Sequence, residues 1–130
     1  MKAFARGVFL FEAIIINFLV GAFVFFFPSG FVANFTNDVV SAVPLELIRW
    51  YGVLLFVLSF AMLRALALRS QEGVRIVVEA LLVGDFAHLV ASYLFFQNGG
   101  AWNFASVTMM ISTVTLILIR SYWLRYIRQV

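Results

Sequence analysis

The sequence predicts an all-α membrane protein: an antiparallel four-helix transmembrane bundle with both termini in the cytoplasm. Three observations predict it. Of 130 residues, 65% are hydrophobic and 12% charged, and mean hydropathy is +1.07; soluble domains run at about half apolar and about a quarter charged. Four stretches, at about 4–27, 45–68, 74–97 and 103–124, each supply the ~20 mostly apolar residues that cross roughly 30 Å of hydrocarbon. Eight of the nine basic residues fall on one side of such an arrangement.

The first span follows Lys2 and Arg6 and stops at Pro28-Ser29-Gly30, because proline cannot donate into a continuing helix and glycine tolerates a reversed backbone. Its basic start suits a signal peptide, but the apolar run is too long and no clear cleavage site precedes Pro28, so an uncleaved anchor is expected. The loop at 28–44 is long enough for a small amphipathic piece. Within it Asn34-Phe35-Thr36 matches a glycosylation sequon, placed too close to the membrane for use. Pro44 sits where a first-turn proline belongs, ahead of span two. Arg69-Ser70-Gln71-Glu72-Gly73 and Asn98-Gly99-Gly100 form short hairpins on either side of span three, and short connections imply antiparallel neighbours.

Charge sets the direction. Lys2, Arg6, Arg64, Arg69, Arg75, Arg120, Arg125 and Arg128 share one side and Arg49 stands alone on the other; the basic side stays cytoplasmic. Tyr122, Trp123 and Tyr126 at the inner boundary, and Trp50, Tyr51, Tyr93 and Trp102 near the outer one, agree with rings that prefer headgroup level. The expectation is one multi-pass domain over 1–130, in the endoplasmic reticulum of a fungus or the inner membrane of a bacterium. The chain has no cysteine, which excludes disulfides, thiolate zinc sites and CxxC redox chemistry. Nucleic acid is not an expected partner, since the basic residues flank apolar segments and line no groove. A homodimer is possible in principle, although span four offers only scattered small residues for close contact.

Polar residues inside the spans carry the chemistry. At ~1.5 Å per residue, Asp85 lies roughly 17 Å from the inner end of span three, His88 about a turn farther out, and Asn17 roughly 20 Å into span one. Glu46 and Arg49 enter from the outer end of span two, so these five group by depth in the outer half of the bundle. Asp85 and His88 differ by about 60° around the helix, and Ser92 continues the His88 side. Glu79 points nearly opposite, toward another helix or toward Arg75. An ionisable residue at a helix centre costs about 2.5–3.5 kcal/mol on insertion scales, and such residues mark function by default. An Asp85–His88 pair offsets part of that cost and can relay a proton. Glu12 lies deeper than the inner headgroups and can pair with Arg64. Asn17, Ser92, Thr108, Ser112, Thr113 and Thr115 read first as helix-to-helix packing. A weak echo between "FEAIIINF" (11–18) and "VEALLVGDF" (78–86) fits a duplicated hairpin as readily as chance.

No nucleophile elbow, phosphate loop, zinc motif or dinucleotide fingerprint occurs. Metal is not expected, because i, i+3 spacing gives two ligands only, and no cofactor is implied. Acid–base chemistry on a lipophilic substrate remains, with Asp85, His88 and Glu12 as catalytic candidates and Asn17, Glu46, Arg49 and Tyr51 as substrate contacts. One carboxylic acid or imidazole protonates an oxygen while another group accepts a proton. Double-bond isomerisation and epoxide opening need little else.

The run "PLELIRWYGVLLFVLSFAMLRAL" followed by "EALLVGDFAHLV" resembles small four-span membrane proteins of fungi, some of which are similar to integral-membrane epoxide hydrolases and cyclases acting on polyene substrates. The Pro28 turn, Arg49-Trp50-Tyr51-Gly52 and Gly84-Asp85-xx-His88 carry the likeness. It implies Asp85 and His88 as functional residues, with Arg49 and Tyr51 beside them. A more distant likeness is to membrane sterol isomerases, whose longer helices and Trp-rich pockets are not matched. Two other readings stay open: a proton-coupled exporter of lipophilic cations built around Glu12, and a non-catalytic lipid- or sterol-binding protein.

Overall fold

The computed structural model describes residues 3–127. Lys2 and Arg128, and the Tyr126 side chain, lie outside the described residues. All regular structure among the described residues is helical. Three helices, Phe4–Phe26, Ala42–Ala67 and Phe104–Arg125, are long and apolar enough to cross a membrane, which marks a membrane protein. The chain divides into two compact units, Met1–Gln71 and Glu72–Val130, each described by itself.

In the first unit a continuous rod comprises α1 (Ala3–Phe11), a π-helical segment (Glu12–Leu19) and α2 (Val20–Phe26). Both junctions keep helical backbone angles, at Phe11 and at Val20. The rod ends where Phe27 leaves the helical region (φ −130°, ψ 57°) and α3 (Pro28–Val32) begins on Pro28, a first position at which the missing N–H costs nothing. Of the 28–44 loop, residues 28–32 form this five-residue helix. Beyond it Asn34, the sequon asparagine, donates its amide nitrogen to the carbonyls of Gly30 (2.9 Å) and Phe31 (3.1 Å). Next comes α4 (Ala42–Ala67), with Pro44 in its first turn, where no N–H has an intrahelical partner.

The rod and α4 run antiparallel. Moving up the rod, Ala13 meets Ser59 and Gly21 meets Gly52, lower in sequence on α4. At that crossing the backbones touch. A Cβ on Gly52 would lie 2.9 Å from the Gly21 carbonyl oxygen and 2.9 Å from the Phe25 nitrogen. Two glycines let the helices close to this distance, and in lipid close packing replaces the hydrophobic effect as the force between helices. Phe56 seals the crossing against Phe18 and Phe25, with ring centroids 5.5 and 6.1 Å apart. Outward-facing Leu54, Val57 and Phe60 are exposed, a continuous apolar face that needs an apolar surround.

α4 ends with Arg69 at φ 51°, its N–H bonding the Leu66 carbonyl (3.2 Å). This left-handed closing residue is usually glycine.

In the second unit α5 (Gln71–Gln97) is helical over the whole of the expected third span. Its end is a Schellman motif: Gly99 takes φ 87°, Gly100 N–H reaches back to Phe95 O (2.9 Å) and Gly99 N–H to Phe96 O (3.2 Å). Phe96 stacks on Trp102 across the turn, centroids 3.9 Å apart at 9°. α6 (Phe104–Ile127) starts with a reciprocal cap. Asn103 Oδ1 accepts from Ser106 N–H (2.9 Å), and Ser106 Oγ accepts from Asn103 N–H (3.0 Å).

Burial on these two helices follows a heptad. On α5 the buried positions are Val74, Val78, Leu81 and Ser92, with Asp85 and His88 half-buried on the same line. On α6 they are Ser106, Thr113, Arg120 and Trp123. Spacings of three, four and seven keep one face turned inward. Trp123 therefore sits on the buried line, whereas Tyr122 beside it is exposed; of the expected inner aromatic belt only Tyr122 faces outward among the described side chains.

Candidate functional site

Asp85 and Arg120 form the principal ion pair. One guanidinium nitrogen, Nη1 of Arg120, donates to the Asp85 carboxylate and to the Leu81 carbonyl (3.3 Å). Arg120 is 4% exposed and Asp85 half-buried. Two sequence expectations change here. Arg120 is not a flanking charge at the inner boundary, and the partner of Asp85 is Arg120 instead of His88. The reason is geometric. Arg120 lies sixteen residues into α6, and Leu81 sixteen residues before the end of α5. Side chains lean toward the N-terminus of their own helix. For α6 that means toward the turn at 98–103, which carries the long arginine from the level of Leu81 to Asp85. A planar, permanently charged guanidinium satisfies a carboxylate better than an imidazole issuing from the same helix.

His88 is half-buried and makes no hydrogen bond or ion pair among the described residues. Ser92, four residues on, is 5% exposed, and its hydroxyl has no hydrogen-bond partner. Glu79 turns along its own helix to Arg75 (Oε1–Nε 2.9 Å), as the i, i+4 spacing suggests. Two of the acidic side chains on α5, Glu79 and Asp85, are thus each matched by an arginine.

In the first unit, Glu12 (5% exposed) and Asn17 (4%) are both buried, and both lie on the π segment. In an α-helix residues five apart point about 140° away from each other. In a π-helix the hydrogen bond itself spans five residues, so they stack on one face. The π geometry is what lets this rod bury both polar groups together. Asn17 donates to the Met62 thioether (3.2 Å), and Ser59 Oγ donates to the Ala13 carbonyl (2.8 Å) inside the π segment. Arg64, the expected partner of Glu12, is exposed.

Glu46 and Arg49 pair with each other at 3.2 Å, half exposed near the start of α4, and Tyr51 is exposed. The Gly21–Gly52 crossing lies between Arg49 and Asn17, so the unit does not bring these two together. The single five-residue cluster expected from depth draws on both units: Asn17, Glu46 and Arg49 belong to the first, Asp85 and His88 to the second; Glu12 and Tyr51, the other candidates, also belong to the first. Among the described residues no three His, Cys, Asp or Glu side chains gather as a metal site.

Sequence reasoning missed four residues: Arg120, Asn103, Ser106 and Ser59. Arg120 was hidden by its nearness to the chain end, although it lies sixteen residues into α6, well inside the helix. Asn103-x-x-Ser106 is a readable capping signal. The role of Ser59 is a bond to a backbone carbonyl on the neighbouring rod, which leaves no local signature. Against known proteins, no family profile, no curated protein and no solved structure matches this chain.

Proposed function

We propose that the chain is a four-span integral membrane protein with both termini cytosolic, and an acid–base enzyme that opens epoxides, by hydrolysis or cyclisation, on a lipophilic polyene or isoprenoid molecule. The observation that supports it is the buried Asp85–Arg120 pair half-way along α5, with the unpartnered His88 one turn away on the same face. Ionisable groups at such depth mark function by default. Charge matching also supports α5 as a span, the third in chain order, because Arg75–Glu79 and Asp85–Arg120 each lower the cost of carrying charge across lipid.

In this reading Arg120 holds the Asp85 carboxylate as a proton acceptor. His88, protonated, donates to the epoxide oxygen as the carbon–oxygen bond breaks. Water, or a hydroxyl of the substrate itself, attacks the carbon and loses its proton to Asp85. Transfer of that proton from Asp85 to His88 restores both groups. Arg49 and Tyr51, also implied by the resemblance, are assigned no step.

The experiment is turnover of 2,3-oxidosqualene by purified protein in liposomes made up in ¹⁸O-water. Hydrolysis gives a diol carrying one ¹⁸O; 2,3-oxidosqualene has no hydroxyl, so cyclisation is read on an epoxy-alcohol polyene, as an isomer of unchanged mass. His88→Ala, which breaks no described bond, is expected to abolish either product while leaving insertion and melting intact. Undiminished turnover in His88→Ala ends the reading.

Glu12 favours a second reading, a proton-coupled exporter of lipophilic cations, since this carboxylic acid is buried in the first span. Proton flux on adding tetraphenylphosphonium to proteoliposomes, lost in Glu12→Gln, is its signature. Tight capture of a lipid or sterol with neither product nor flux would instead indicate a binding protein.

A further inference from the structure

Ser92 is the described hydroxyl that is buried and yet bonds to nothing. Its helical environment does not compel this. On α6, Thr113 and Thr115 satisfy themselves on the carbonyls four residues back, Met109 (2.9 Å) and Ile111 (2.8 Å). The equivalent bond from Ser92 would go to the His88 carbonyl, and it is not made. Buried hydroxyls are otherwise hydrogen-bonded, because water has been taken away and nothing has replaced it.

The position of Ser92 on α5 gives the unbonded hydroxyl a meaning. At about 100° per residue Ser92 lies within about 20° of Asp85 around the helix and about 40° of His88. The three share one inward line, with Ser92 roughly 6 Å beyond His88 and roughly 10 Å beyond Asp85 toward the 98–100 turn. A serine hydroxyl both donates and accepts, so it can bind a hydroxyl or a carbonyl oxygen and discriminates against plain hydrocarbon.

We infer that Ser92 recognises an oxygen of the lipophilic ligand, and that the ligand therefore carries a second oxygen function roughly 6–10 Å of hydrocarbon away from the atom on which His88 and Asp85 act. This rests on the proposed enzyme reading for the acting pair; the recognition by Ser92 is separately measurable. It makes Ser92 a positioning residue, and the substrate class an oxygenated polyene or isoprenoid with a polar handle toward the outer surface.

The test is binding without turnover. All-trans-retinol and its deoxygenated hydrocarbon, axerophthene, are titrated into the protein in nanodiscs, with energy transfer from tryptophan as the signal. Wild type is expected to prefer retinol. Ser92→Ala should weaken retinol about tenfold, the scale of one buried hydrogen bond, leave axerophthene unchanged, and hold or raise the melting temperature because an unsatisfied hydroxyl has gone. No retinol preference in wild type overturns the inference, as does retinol affinity unchanged in Ser92→Ala. A lower melting temperature with both probes weakened overturns it too, since that outcome makes Ser92 a packing or water-bound residue. Oxidosqualene turnover with retinol binding blind to Ser92 removes this inference alone; Ser92-dependent binding without epoxide opening removes the enzyme reading alone.

Discussion

Replacing Arg120 with methionine isolates the energetics of the α5–α6 pair. Methionine keeps much of the volume and removes the charge, so Asp85 is left facing a buried position without its guanidinium. The side chains are 5% and 13% exposed for Arg120 and Asp85, against 38% and 55% for Arg49 and Glu46. Removing one partner of a buried pair costs about 3–5 kcal/mol, whereas an exposed pair is worth about 0–1 kcal/mol. The expected loss for Arg120→Met is therefore about 3–5 kcal/mol, or roughly two to three and a half decades in the unfolding equilibrium. The double variant Asp85→Leu with Arg120→Met leaves no stranded charge and should return to within about 1 kcal/mol of wild type. Unfolding in bicelles by titration with dodecyl sulfate, followed by tryptophan fluorescence, measures all three proteins. A loss below about 1 kcal/mol for the single variant, or additive losses in the double, would refute the assignment of this pair as buried and coupled.

Three further outcomes follow from other parts of the fold. Gly52→Ala should lose about 1–3 kcal/mol, since its Cβ meets backbone atoms of Gly21 and Phe25 that cannot swing away; Gly84→Ala, with open space around the new carbon, should instead gain up to about 1 kcal/mol from helix propensity, and the same unfolding titration reads both. Ser59→Ala removes the hydrogen bond from α4 to the Ala13 carbonyl and should cost about 0.5–1.5 kcal/mol, with faster amide exchange confined to residues 12–19. Arg69→Gly relieves a left-handed backbone and should add about 1 kcal/mol, seen as a higher melting temperature with unchanged helicity.

Hydropathy and turn residues carried most of the fold. The first, second and fourth expected spans end within three residues of Phe4–Phe26, Ala42–Ala67 and Phe104–Arg125, because Pro28, Pro44 and the Gly99 turn act through local backbone chemistry. The π segment was not readable: "EAIIINFL" holds no proline or glycine, and its contact with Ser59 comes from a helix some forty residues on. In the site, the common face of Asp85 and His88 was readable from helical spacing alone. The partner of Asp85 was not, since identifying Arg120 requires knowing how far a side chain on a neighbouring helix leans toward its own N-terminus. Glu12 and Asn17 were identified singly, but α-helical angles set them apart, and only the π turn reunites them.

The account depends most on α5 crossing the bilayer with its charges matched. The chain contains no cysteine, so Glu72→Cys and Asn98→Cys can each be labelled with a membrane-impermeant maleimide in intact cells and in inverted vesicles. Labelling of Glu72→Cys only from the cytosolic face, and of Asn98→Cys only from the outside, is the predicted result. Labelling of both positions from the same face would contradict it.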